Sequence, residues 1–240
     1  MLNYNTLQNR SREFLAATGL MLTEFEKLLP AFQIAYDNTY PPERTLDGQA
    51  RQRRRGAGAK GKLPSVADKL LFILVYQKPN PLQTMHGWQF HVSQAQTNDW
   101  IHRLLPVLQD ALATLGMQPE RDASRVAVHP LTLEGAPQLA IDGTARRRQR
   151  PPDAARQQDH YSGTKKAHTD KNIVLINEHT GKVVYLSPTV PGKTHDKKAA
   201  DEAAIVYPTN ATLDKDTGFQ GDEPAGVLTA QPKKSREARH

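Results

Sequence analysis

The 240-residue sequence has no cysteine and only 6% aromatic residues. Without thiols, a disulfide framework and a thiolate metal site are both excluded. Long hydrophobic runs are also missing, since the longest apolar stretch, residues 70–76, is far too short to cross a bilayer. The N-terminus lacks the apolar run of a signal peptide. We therefore expect a soluble protein of the cytoplasm with no membrane partner.

Positive charge is concentrated in two segments of a chain whose net charge is +7. Residues 41–62 contain seven Lys or Arg against two acidic residues, and residues 144–171 contain eight against three. One such run is commonly a solvated loop, but two of them indicate a polyanionic partner. The arginines predicted to contact it are Arg53, Arg54, Arg55, Arg146, Arg147 and Arg148.

The first half of the sequence predicts helices. Residues 1–40 form an N-terminal helical segment with a cap at Thr23, and residues 41–62 form a flexible basic loop. In residues 63–118, Ser65 caps one helix, residues 82–90 form a short second helix, and Ser93 caps a long third helix. A short helix, a tight turn and a longer helix are typical of a helix-turn-helix, although a plain helical hairpin remains an alternative.

The first turns of that third helix carry small and amide side chains. In a helix-turn-helix these turns enter the major groove, where such side chains read base edges. The predicted DNA contacts here are Gln94, Gln96, Thr97 and Asn98.

From about residue 135 the pattern predicts strands. Residues 139–141 form a short buried strand that ends at Asp142, and the run that follows is not expected to continue it. Residues 171–177 and 182–187 form a hairpin, a helix follows Thr194, and residues 211–213 form another strand. The predicted fold is α+β, with an all-α helix-turn-helix domain followed by a mixed α/β sheet domain over residues 135–240.

Asp142 and Asp216 each follow a short apolar strand. If those strands are adjacent and parallel, both carboxylates emerge at the same edge of the sheet. Hard divalent cations prefer such ligands, and two ions about 4 Å apart can activate a nucleophile at a phosphodiester. By spacing alone, either aspartate also fits an ordinary turn.

Four motifs in order carry a family resemblance: LAIDGT (139–144), HYSGTKKAHT (160–169), PGKTHDKK (191–198) and DTGFQG (216–221). Together they resemble bacterial DDE transposases, in particular the insertion-sequence-five family and its relatives. The resemblance covers about residues 65–232 and includes the predicted helix-turn-helix.

This resemblance implies a ribonuclease-H-like domain that uses two Mg²⁺ or Mn²⁺ ions. The implied partner is double-stranded DNA at the terminal inverted repeats of the element, with a homodimer as a possible assembly and a nucleoid-associated location in a bacterial cytoplasm. Asp142 matches the first catalytic aspartate and Asp216 the second, with Asp214 as the alternative to Asp216. The remaining candidates are Lys165, Lys166 and His168 for phosphates, and His195 and Asp196 for support of the site from outside or for capping of the helix.

The third carboxylate of the family, a glutamate on a later helix, has no match in this sequence. Glu223 and Glu237 lie too close to Asp216 and in a different context. The sequence therefore predicts a truncated copy with little catalytic activity. Two alternatives stay open: a protein that only binds the element ends and represses transposition, and a general metal-dependent nuclease.

Overall fold

A computed structural model describes residues 1–45, 48–52, 61–135, 137–221, 223–224 and 226–232. The chain divides into two compact units, Met1–Gln118 and Pro119–His240. Each unit has its own cluster of buried hydrophobic residues. Within the described ranges, no helix combines the length and the apolar character that a membrane span requires.

The first unit is helical. Its three predicted helices after residue 63 are confirmed, and α3 ends just before Pro41 as the sequence suggests. The helices are α1 (Tyr4–Leu7), α2 (Ser11–Thr18), α3 (Leu22–Thr39), α4 (Val66–Gln77), α5 (Gln83–Phe90) and α6 (Gln94–Thr114).

The helix N-termini follow local chemistry. Ser65 and Ser93 cap α4 and α6 as predicted, because each hydroxyl accepts the backbone N–H three residues later. The cap predicted at Thr23 is wrong, since α3 begins at Leu22. There the Glu24 carboxylate accepts the Met21 N–H at 2.7 Å, so the acidic side chain satisfies the free donor instead.

The N-terminal segment is not separate from the helix-turn-helix. Phe14 and Phe25 are fully buried in the same core as Phe72, and the Tyr4 N–H donates to Asp68 Oδ1 at 2.9 Å. Short amphipathic helices cannot bury their apolar faces alone, so these segments join one core. In the predicted basic loop, Arg44 bridges to Ala50, while Arg53, Arg54 and Arg55 lie outside the described residues.

The second unit is built around a mixed sheet, as predicted. Its strands are β1 (Gln138–Arg147), β2 (Tyr161–Ser162), β3 (Ala167–Asn177), β4 (Lys182–Leu186), β5 (Val190–Pro191), β6 (Thr212–Lys215) and β7 (Leu228–Ala230). Its helices are α7 (Pro130–Leu133), α8 (Ala154–His160) and α9 (Asp196–Ala203), with short 3₁₀ turns at Ala123–Val128 and Thr217–Phe219.

Strand β1 lies at the centre of this sheet. It pairs antiparallel with β3, which in turn pairs with β2, β4 and β5, and it pairs parallel with β6, which pairs parallel with β7. The predicted end of β1 at Asp142 is wrong: the strand continues to Arg147, opposite Thr169. Pairing with the long β3 satisfies the backbone groups there and outweighs the weak strand preference of the arginines.

The core of the first unit contains a histidine that is fully buried. The His86 ring packs against Phe72, Tyr76 and Phe90, with centroid distances of 4.3 to 5.4 Å. Burial disfavours the charged imidazolium and lowers the pKa of His86 to about 4, and the Phe72 carbonyl opposes this only in part. The neutral ring therefore behaves as part of the aromatic core.

This histidine should make the stability of the first unit depend on pH. Because the folded pKa lies below the unfolded value of about 6.5, the unfolded chain binds the extra proton, and stability falls as the pH drops from about 6.5 towards 4. We expect His86→Phe to remove about 2–3 kcal/mol of the loss between pH 7.5 and 4.5. Urea unfolding followed by Trp88 and Trp100 fluorescence measures this unit alone. His102→Gln, at an exposed position, is the control and should not change the loss of stability between pH 7.5 and 4.5. The same loss in His86→Phe as in the wild type would show that His86 does not cause it.

Candidate functional site

The two predicted catalytic aspartates follow the last paired residues of two neighbouring parallel strands. The pairing of β1 with β6 ends with Ile141 opposite Lys215, and Asp142 and Asp216 come directly after them. Neighbouring strands lie about 4.8 Å apart, so the backbones of the two aspartates stand side by side. Successive side chains alternate between faces, and the buried Ile141 and Lys215 occupy one face. The two aspartates therefore share the other face.

Local hydrogen bonds orient both carboxylates. Asp142 Oδ1 accepts the Gly143 N–H at 2.7 Å, and Asp216 Oδ1 accepts the Gly218 N–H at 2.8 Å and so caps the turn Thr217–Phe219. Asp214 of β6, the alternative ligand, lies opposite Ala140 of β1, on the same face of the sheet as Asp142 and Asp216. The order of the strands thus collects three acidic residues at one end of β6.

Asp196 approaches the same region from the first turn of α9. A Cβ on Gly143 would stand 2.2 Å from Asp196 Oδ1, and a Cβ on Gly218 would stand 3.3 Å from Asp196 Oδ2 and 3.0 Å from Asp216 Oδ1. A side chain at position 143 would clash with the Asp196 carboxylate, and one at position 218 would be in tight contact with it. The glycine after each predicted catalytic aspartate therefore has a packing role that sequence spacing did not reveal.

The charge of Asp196 is balanced by Lys171. The Lys171 Nζ lies 2.8 Å from Asp196 Oδ1, at angles outside those of a hydrogen bond, and donates to the Thr194 carbonyl at 2.6 Å. Asp196 Oδ1 itself is buried and makes no hydrogen bond. His195, the other predicted supporting residue, is exposed at the N-cap position, and its side chain does not bond to the helix.

The aspartate pair fits a divalent cation in part. Adjacent, exposed carboxylates are ligands that Mg²⁺ and Mn²⁺ prefer, and Asp196 Oδ2 approaches Gly218 close to Asp216 Oδ1. Within the described part of the chain, however, the side chains do not form a group of three or more metal ligands. The structure thus places two of the carboxylates that a two-metal site requires directly after neighbouring, parallel-paired strands.

The amide side chains at the start of α6 form a network with α5. Gln94 Nε2 donates to Gln83 Oε1 at 2.8 Å, and Gln83 Nε2 donates to Asn98 Oδ1 at 3.0 Å. Gln83 was missed because it belongs to the preceding helix, although its position in the first turn of that helix could have suggested it. Gln96 is exposed, and its Oε1 accepts the Ser93 N–H at 3.1 Å as part of the cap.

Thr97 does not belong to this exposed surface. It is fully buried, and its hydroxyl donates to the Ser93 carbonyl at 2.9 Å. A Cβ on Gly87 would stand 2.7 Å from Thr97 Oγ1, so α5 and α6 approach closely at this point. The prediction that Thr97 reads base edges is therefore corrected: its role is to pack the two helices together.

The basic residues of the second segment are partly used inside the unit. Arg146 Nη2 donates to Asn172 Oδ1 at 2.7 Å, and Arg148 Nη1 lies 2.9 Å from Asp170 Oδ1. Arg147 is exposed between them. Lys165 and Lys166 are exposed in the turn before β3, and His168 is half-buried with its ring against Tyr161. Lys165, Lys166 and Arg147 are thus the residues of this set most available to an external anion.

Comparisons with known proteins agree with this geometry. Residues 141–239 match the family model of the DDE superfamily endonuclease, and residues 61–114 match the helix-turn-helix of DDE superfamily endonuclease. No curated protein and no solved structure was found to match. Over these two segments the chain is similar to DDE superfamily endonucleases and to their helix-turn-helix. This similarity suggests a transposase-like, DNA-cleaving function, and DDE endonucleases generally use divalent metal ions.

The Lys171–Asp196 pair should stabilise the sheet unit. Their side chains are 13% and 29% exposed, so Asp196→Asn leaves a largely desolvated ammonium without its partner. We expect a loss of about 1–3 kcal/mol, measured by hydrogen exchange of β1 and β3 amides, which reports on this unit alone. Glu202→Gln is the matched control, because its 3.7 Å contact with Lys198 on the same helix is exposed and should contribute about 0.5 kcal/mol or less. Equal effects of the two substitutions would contradict this role of Asp196.

Proposed function

We propose that this protein is a DNA transposase of the insertion-sequence-five type, which acts on the terminal inverted repeats of its own element. The observation that supports the proposal is the register of β1 and β6, which ends with Ile141 opposite Lys215, the residues directly before Asp142 and Asp216. The two family matches support the same class of chemistry. A homodimer that holds two element ends, and a location at the bacterial nucleoid, follow from this role and are part of the proposal.

In the proposed reaction, Asp142 and Asp216 hold Mg²⁺ or Mn²⁺ at the scissile phosphodiester. When bound, these ions supply charge stabilisation and an activated nucleophile, either water or a 3′-hydroxyl. The peptide N–H groups of Gly143 and Gly218 fix one oxygen of each carboxylate, which limits how the ligands reorient. Asp196 and Lys171 support the site from the α9 side, while His195 remains a candidate for a contact from outside.

DNA recognition is divided among several groups in this proposal. Gln94, Asn98 and Gln83 would read base edges, with Gln96 beside them, since amide side chains pair with adenine in the major groove. Phosphate contacts would come from exposed basic residues, and these contacts position the protein rather than specify sequence. The proposed phosphate contacts are Arg53, Arg54, Arg55, Arg146, Arg147, Arg148, Lys165, Lys166 and His168.

Binding of Mn²⁺ tests the proposed ligands directly. We expect Asp142→Asn and Asp216→Asn each to weaken Mn²⁺ binding at least tenfold, because each removes a negatively charged ligand. Titration followed by electron paramagnetic resonance of free Mn²⁺ measures this. Asp214→Asn is the matched control on the same face of β6, and it should weaken binding less than Asp216→Asn. The reverse order would assign the ligand to Asp214, and wild-type affinity in all three variants would exclude a metal site here.

Activity on DNA tests the function as a whole. With two of the three family carboxylates matched, we expect the 240-residue chain to bind duplexes that carry its inverted repeats, with affinity that falls steeply with salt, but to nick or join them at most very slowly in Mg²⁺ or Mn²⁺. Footprinting and a strand-cleavage assay on the same duplexes measure both properties.

The other outcomes separate the alternatives. Protection of the ends combined with lower transposition by an intact copy would support a protein that only binds and represses. Cleavage without preference for the inverted repeats would favour a general metal-dependent nuclease. Rapid cleavage at the ends would show that another carboxylate of this chain replaces the missing glutamate, and no binding at low salt would overturn the transposase proposal.

A further inference from the structure

Two neighbouring cavities of the second unit lie outside the aspartate pair. The larger, about 600 Å³, is lined by residues that include Arg150, Gln157, Tyr161, His168 and Lys193. The smaller, about 240 Å³, is lined by 161–164, 192–196 and Lys171. Tyr161 and Lys193 line both cavities, so the two adjoin at these residues beside α8, and we name them together the α8 groove. Its far end is Asp196, which packs against the glycine that follows Asp142.

The charge in the larger cavity is positive and little compensated. Among the described residues, none that lines it is acidic, and Lys193 has no carboxylate within ion-pair distance. Arg150 Nε donates to the neutral Gln157 side chain, at 2.9 Å. The nearby Asp170 carboxylate is already engaged, 2.9 Å from both Arg148 and His160. Within the described part of the chain, the ammonium and the guanidinium therefore line the cavity without an ion-pair partner, which favours a phosphate-bearing ligand.

The groove also presents an aromatic surface. The Tyr161 residue is 45% exposed, although it is large and apolar. The His168 ring supports it edge-on, with centroids 5.6 Å apart and planes at 69°. The backbone N–H of Lys193 donates to the Asp159 carbonyl at 3.1 Å, which ties the loop carrying Lys193 to α8. A supported, exposed ring in a cavity that Arg150 and Lys193 also line is the combination that single-stranded nucleic acid prefers.

We propose that the α8 groove binds one unpaired DNA strand next to the aspartate pair. Lys193 and Arg150 contact backbone phosphates, and Tyr161 stacks on a base. The strand is unpaired because base faces are covered by their neighbours inside a duplex and become available to an aromatic side chain only after separation. This inference rests on the proposed function and deepens it, since it assigns an unpaired stretch of DNA to the nucleotides beside the cleaved bond.

The experiment compares two DNA ligands that differ only in an unpaired extension. One is a blunt duplex carrying the inverted repeat, and the other is the same duplex with a four-nucleotide single-stranded extension at the outer end, tried on either strand. Their Kd values are measured by fluorescence anisotropy with the full chain in EDTA. Contacts made by the helix-turn-helix are common to both ligands, so the ratio of the two Kd values reports on the extension.

We expect the wild-type chain to bind one extended duplex at least fivefold more tightly than the blunt duplex, because stacking on one base contributes a factor of this order or more. Tyr161→Ala should bring the ratio close to one, whereas Tyr161→Phe should keep it. Lys193→Ala should lower the salt dependence of binding to the extended duplex by about one unit of slope. Lys198→Ala is the matched control, since this exposed lysine of α9 pairs with Glu202 and does not line the groove.

Equal Kd values for blunt and extended duplexes in the wild-type chain would overturn the proposal. So would an unchanged ratio in Tyr161→Ala, even if Lys193→Ala weakens binding, because that pattern describes a phosphate site without a base. Asp142→Asn and Asp216→Asn should retain the wild-type ratio in EDTA. If the wild-type chain prefers the extended duplex but does not bind Mn²⁺, only the catalytic proposal is overturned. If it binds Mn²⁺ but binds both duplexes equally, only the proposal for the α8 groove is overturned.

Discussion

The parallel pairing of β1 with β6 is the constraint on which the candidate site depends. Side chains alternate along a strand, so a slip of one residue would send Asp142 or Asp216 to the opposite face and separate the carboxylates. The register is fixed by burial: Leu139 lies opposite Leu213, and both are fully buried. Moving either leucine to the solvent face would expose a large apolar side chain, at a cost of about 1.5–3 kcal/mol each. The hydrophobic core thus positions the two aspartates, although neither contributes to it.

A second constraint acts from the face of the sheet that carries α9. This helix packs Ala199 and Ala200 into the core, which brings its first turn down onto β1. The Asp196 carboxylate then fits because residue 143 lacks a Cβ, and the glycine at position 218 relieves a second tight contact. The small side chains of Ala199 and Ala200 and the glycines at 143 and 218 all allow α9 to approach the sheet closely. The buried Oδ1 of Asp196 makes no hydrogen bond, so in this close approach it depends on the Lys171 ammonium 2.8 Å away.

The sequence predicted features that depend on residues close together in the chain, and it missed features that depend on contacts between distant segments. The caps at Ser65 and Ser93 involve residues three positions apart, so the sequence predicts them correctly. The positions of Asp142 and Asp216 after apolar strands could also be predicted, and the strand order confirms that those strands are neighbours. The continuation of β1 to Arg147 depends on β3, more than twenty residues away, and the burial of Thr97 depends on Gly87 in another helix. Such features come from partners that no single segment reveals, and the same holds for the pairing of Lys171 with Asp196.

Charge explains why the proposed site needs both acidic and basic regions in one unit. Carboxylates alone would repel a phosphodiester, since like charges a few ångströms apart in a partly desolvated site cost several kcal/mol. A divalent cation between them reverses the sign of that interaction, which is consistent with a pair of aspartates at the end of β6. The basic residues of the α8 groove and of the turn before β3 lie outside this pair, where the flanking phosphates of a bound strand would need neutralisation. Under the proposed function, the basic residues bind the DNA phosphates on either side of the scissile bond, and the two aspartates bind the metal ions. DNA binding and metal binding are therefore separable properties of this unit.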